Sequence, residues 1–155
     1  MSLTKILSRG ISTLPAGSVL QVVSTTYSTQ MTTTSGTHAD MNLSLSITPS
    51  SASNKILILA SSAVSVDTGG TDAGGGIIVL RNSTVINGST TEYIFYDINT
   101  GGAADTGFQY HSSTLDSPNT TSAITYKCQF AAFYGGTFRV HRNQPSYIIA
   151  MEIAA

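Results

Sequence analysis

The sequence predicts an all-β fold: an antiparallel β-sandwich, jelly-roll-like, preceded by a short N-terminal arm. Three observations carry that expectation. Among 155 residues there are two Glu and three Lys but 22 Ser and 22 Thr, and surface helices are built mainly from Glu, Lys, Leu and Ala. From Ser18 onward, short apolar–polar alternations recur between clusters of Gly, Pro, Asn and Ser, at the spacing of a two-sheet sandwich. No β–α–β alternation and no internal repeat is visible, which removes parallel α/β folds, solenoids and propellers.

Residues 1–14 form the arm. Leu3, Ile6, Leu7 and Ile11 share one face at helical spacing. Gly10 and Pro15 limit any helix to about two turns, too short to be stable alone. The segment therefore reads as an arm that docks on a partner, with a disordered tail as the alternative.

Residues 15–155 form the sandwich. Ser18 to Tyr27 is rich in Val and Thr and reads as a strand. Asn42 to Thr48 alternates strictly, with Leu43, Leu45 and Ile47 on one face and Ser44 and Ser46 on the other. Pro49 to Asn54 is a turn. Lys55 to Val66 opens with the apolar run Ile56–Ala60, as expected of a strand buried on both faces. Asp67 to Gly76 has five Gly in ten residues and reads as a flexible loop without regular structure. Ile77–Leu80 and Thr84–Ile86 flank Arg81-Asn82-Ser83 and predict a hairpin with Asn82 at positive φ. Thr90 to Ile98 reads as an aromatic strand, Asn99 to Gly107 as a second Gly-rich loop, and Phe108 to Leu115 as a strand. Ala123 to Phe133 alternates again, Thr137 to Arg142 is a short strand, and Tyr147 to Ile153 closes the chain with Tyr147, Ile149, Met151 and Ile153 on one face.

Composition bounds the function. Charged residues are 10% of the chain and the net charge is −1, against a usual charged share of about 25%. Nucleic-acid binding is not expected from so little charge. No apolar run approaches the ~20 residues of a membrane-spanning helix, and the first ten residues lack the apolar core of a secretory signal. Cys128 is the lone cysteine, so no intrachain disulfide exists, and it reads as a small buried side chain. A surface of Ser, Thr, Asn and Gly suits a protein packed against copies of itself or held in a larger assembly; a neutral extracellular domain is the alternative.

Candidate chemistry is sparse. His38 and Asp40 could share one face of an extended segment, but zinc needs three or four ligands. His141 lies between Arg139 and Arg142 in a short basic patch that reads as a solvated edge strand. No nucleophile elbow and no Cys/His signature occurs. Glu92 and Asp97 could approach one another, yet nothing specifies a glycosidase pair. The run from Gly69 to Gly76 lacks the Lys of a phosphate loop, and Asp67 and Asp72 begin a calcium site without completing it. No metal or cofactor is therefore expected. The two Gly-rich loops, with Asp67, Asp72, Asn99 and Asp105, are the candidate recognition residues, because loops at the end of a sandwich carry recognition. Six of the seven Tyr lie in or beside strands and fit a core, a symmetric interface or a sugar site.

Four segments together resemble a known module: Pro15–Val23, Leu43–Leu57, Ile78–Thr84 and Ser146–Ile153. They are similar to a β-rich module of virion structural proteins in tailed bacteriophages, especially those of marine and cyanobacterial hosts. The resemblance implies no catalytic residues. It implies a homotrimeric module on the virion surface, made in the host cytoplasm. The expected role is a capsid decoration or cement protein, with the arm gripping the major capsid protein or another virion protein. The alternative is a tail-fibre or spike tip that recognises host glycans; a depolymerase is disfavoured by the missing carboxylate pair.

Overall fold

The structure is a computed structural model and describes residues 14–99, 101–102 and 104–155. The arm residues Leu3, Ile6, Leu7 and Ile11 lie outside the described residues. The described residues form eleven strands: β1 (Val19–Tyr27), β2 (Met31–Thr33), β3 (Ala39–Ile47), β4 (Lys55–Asp67), β5 (Ala73–Arg81), β6 (Thr84–Asn87), β7 (Phe95–Asp97), β8 (Asp105–Asp116), β9 (Ile124–Phe133), β10 (Thr137–Val140) and β11 (Ser146–Ile153).

The strands form two antiparallel sheets packed face to face. The first has the order β1–β11–β4–β10–β2, with β8 on the other edge of β4; the second has β3–β9–β5–β6, with β7 also on β5. With β2, β7 and β10 set aside, the other eight strands, renumbered in chain order, fall in the orders 1–8–3–6 and 2–7–4–5. Successive strands thus pass repeatedly from one sheet to the other, which is the jelly-roll arrangement.

The core follows the alternation read from the sequence. Leu43, Leu45 and Ile47 of β3 are buried while Ser44 and Ser46 face solvent. Tyr126, Cys128 and Phe130 of β9 share one core cluster with Ile56, Ile58 and Ile148 of the first sheet. Each such aliphatic or aromatic side chain contributes roughly 1.5–3 kcal/mol by leaving water. The β5–β6 hairpin forms as expected, with Asn82 at φ 53°.

Several expectations are corrected. The run Asp67–Gly76 is not wholly loop: Ala73–Gly76 are the buried start of β5. Aromatic rings occupy the space that side chains would need. A Cβ on Gly75 would lie 2.3 Å from the Phe138 ring, and one on Gly74 would lie 3.1 Å from Tyr93 Cβ. Glycine density here marks close packing. The aromatic strand shrinks to Phe95–Asp97, because β6 and β7 share one edge of β5 and residues 88–94 must turn between them. The second loop is shorter than expected, since β8 begins at Asp105 opposite Asp67.

His141 is not a solvated edge residue; it is fully buried. Its φ of 57° turns the ring inward, where Nε2 lies 2.8 Å from the Met41 carbonyl and the ring meets Tyr27 edge-on. Burial lowers its pKa, so it is held neutral. On β11, the buried face carries Ser146, Ile148, Ala150 and Glu152, and the row Tyr147, Ile149, Met151, Ile153 points outward.

Candidate functional site

Two surfaces stand out, one at the loop end of the sandwich and one on the outward face of the first sheet. At the loop end, Asp67 and Asp105 sit directly opposite each other across β4 and β8. Two facing carboxylates repel, and two arginines from the β10 region neutralise them. Arg139 Nη2 donates to Asp67 Oδ2 at 2.7 Å, and its Nη1 lies 3.5 Å from Asp105. Arg142 grips Asp105 through both nitrogens, at 2.8 and 2.7 Å. Arg139 holds the Asp67 carboxyl below its usual range. These two acids are thus structural ion-pair partners.

Asp72 and Asn99 come together instead. The Asn99 backbone N–H donates to Asp72 Oδ1 at 2.9 Å, and the Tyr96 hydroxyl donates to Oδ2 at 2.8 Å. These bonds hold the Asp72 carboxyl below its usual range and raise the Tyr96 hydroxyl to about 12. Tyr96 stacks on Tyr93 with ring centroids 4.7 Å apart, and Tyr134 meets both edge-on at 5.4 Å. Sequence reasoning nominated Asp72 and Asn99 by loop position. It did not foresee Tyr134 joining them, because the β9–β10 turn brings that residue from a distant part of the chain.

The outward face of the first sheet carries an apolar row where sandwich exteriors are usually polar. Cross-strand pairing places Val22, Met151, Leu57 and Leu115 in one row across β1, β11, β4 and β8. Ile149 and Leu59 follow in the next row, with Tyr147 beyond. Val22 is 56% exposed and Leu115 54%. The inner row beside it is Gln21, Glu152, Ile56 and Asp116, and two of these four are acids.

Both acids are satisfied. Glu152 is 1% exposed and accepts hydrogen bonds from the Ser50 backbone and hydroxyl, from Asn54 Nδ2 and from Gln21 Nε2, at 2.6–2.8 Å. Burial alone would raise its pKa, but these donors outweigh it and hold the carboxyl at about 2. Asp116 accepts from Arg81 at 2.8 Å and from the Tyr126 hydroxyl at 2.7 Å.

The remaining titratable groups are dispersed. Asp40 binds Lys127 and Gln129 and is not joined to His38. Burial pushes the Cys128 thiol up to about 12, which leaves it unreactive. A groove of about 440 Å³ runs along β8 and is lined by Asn87, Phe95, His111 and Ser113 among others, with no carboxylate in its lining. Among the described residues, no group of three or more His, Cys, Asp or Glu is placed to hold a metal ion.

No protein-family model matches the chain, and no curated protein matches it. Solved structures do. VP2 in the subviral particle of infectious bursal disease virus is similar with a TM-score of 0.48 and 11% identity, covering 100% of this chain and 42% of that one. A chain of the T13 IBDV viral particle gives a TM-score of 0.44 and 13% identity, covering 100% of this chain and 40% of that one. The chain therefore spans about two-fifths of the length of the solved chains it matches.

Proposed function

We propose that this is a non-enzymatic virion structural protein, a homotrimeric decoration or cement module that stabilises a capsid by binding across its subunits. The observation that carries the reading is the apolar row Val22–Met151–Leu57–Leu115 with Ile149, Leu59 and Tyr147 beside it. A domain with so little charge gains nothing from leaving such a face in water. Symmetry-related copies would cover it, in the manner of homo-oligomer interfaces. Sequence segments that resemble phage virion modules supply the setting, and the arm of residues 1–14 would supply the grip on the shell. Binding only the assembled shell shifts assembly by mass action.

Sedimentation equilibrium of the full chain tests the assembly. The expected mass is three chains. Leu57→Glu, placed mid-row, should reduce it to one, because an unpaired carboxylate would be buried at a cost of more than about 2 kcal/mol per subunit. A far-ultraviolet spectrum unchanged from the parent would show that the sandwich persists. A parent that is monomeric at every concentration would sink the trimer. For the arm, a chain lacking residues 1–14 should bind undecorated capsids at least tenfold more weakly; equal binding would remove the arm from the reading.

A further inference from the structure

We propose that Tyr134, Tyr93 and Tyr96, with Asp72, form a saccharide-binding platform that takes the C–H face of a neutral hexopyranose. This is independent of how the chain assembles. Tyr134 is 60% exposed and Tyr93 37%, so aromatic surface stands in solvent at the loop end. Tyr134 also has φ 63°. A bulky residue is strained in that region, whereas Asn or Gly would make the β9–β10 turn freely. What the strained position adds is the ring, buttressed edge-on by Tyr93 and Tyr96.

The surroundings fit a sugar. Gly69, Gly70, Gly101 and Gly102 belong to the adjoining loops, and a Cβ on any of them would meet nothing within 4 Å. Asp72 is fixed by Tyr96 and Asn99, each taking one of its oxygens. A carboxylate has about four acceptor positions, so two remain for adjacent sugar hydroxyls. A pyranose offers that pairing: C–H groups on one face for an aromatic ring and hydroxyls at the rim for a rigid acceptor. A quaternary ammonium does not fit, since the ring centroids are 4.7–5.4 Å apart and leave no cage between them.

The test is an array of neutral hexose-terminated and sialylated glycans, probed with the full chain and three variants. The parent should retain hexose-terminated glycans, and sialylated ones more weakly, because Asp72 repels a second carboxylate. Tyr134→Asn should lose at least tenfold in binding while its melting temperature holds or rises, since Asn suits the left-handed turn. Tyr134→Phe keeps the ring and should bind like the parent. Asp72→Asn should bind at least fivefold more weakly. A blank array overturns the proposal, as does parent-like binding by Tyr134→Asn or loss of binding by Tyr134→Phe. A blank array with a Tyr134→Asn variant that no longer self-associates would make the cluster a contact between copies, and would likewise overturn it.

Discussion

Gly75→Ala should be among the most damaging single methyl groups added to this protein. The new Cβ would lie 2.3 Å from two carbons of the Phe138 ring, well inside contact distance. Phe138 cannot swing away, because it is fully buried and packed against Phe95 and Phe130. The backbone cannot yield easily either, since Gly75 pairs with Ala132 on one side and Phe95 on the other. Overpacking of this kind costs roughly 3 kcal/mol or more, a fall in melting temperature of about 10 °C for a domain of this size. Thermal unfolding followed by circular dichroism measures it. Phe138→Leu is destabilising alone but frees the space, so the double variant should recover more than about 1 kcal/mol relative to additivity. Strict additivity would mean that the clash relaxes elsewhere.

Glu152→Gln should come next, at about 3 kcal/mol. Among the described residues the carboxylate forms no salt bridge; it is held by neutral donors from Gln21 of β1 and from Ser50 and Asn54 of the Pro49–Asn54 turn. An amide would replace one acceptor oxygen with a donor and leave buried N–H and O–H groups unpaired. The pH dependence follows from the same bonds. The folded-state pKa is about 2 against an ordinary 4.5, so the unfolded chain takes up the proton first. The stabilisation is fully present above about pH 4.5 and is lost as pH falls toward 2. Urea unfolding at pH 7 and pH 3 should therefore show the parent weakening markedly, with that part of the loss absent in Glu152→Gln. An identical acid response in both would place the sensitivity in other carboxylates.

How much was legible in the chain varies by the range of the interaction. Alternation in β3 and β9 was readable because the side-chain period of a strand is two, and a core on one face imposes it locally. The Asn82 hairpin was readable because the turn requires positive φ at that residue. The outward row on β11 was visible as a row, but not its direction. Either face of Ser146–Ile153 could have been core, and an apolar set is the natural choice. Only the network that satisfies Glu152 makes the polar-looking face the buried one. Asp67 and Asp105 read as recognition residues in the sequence, yet Arg139 and Arg142 reach them from 34–72 positions away in the chain. The Tyr134 contacts with Tyr93 and Tyr96 are equally non-local.

The amino-acid sequence alone determined the class of fold: scarce Glu and Lys deny surface helices, and period-two alternation between turn residues specifies strands that must pair into two sheets. It also settled that Cys128 has no partner and that surface charge is minimal. The tertiary structure decided what the glycines are for, which face of β11 is buried, and which aromatic side chains meet at the loop end. The physical reason is that these depend on close approaches between segments far apart in the chain. A glycine is the same residue whether it bends a free loop or lies under a phenylalanine ring, and only the folded neighbours distinguish the two.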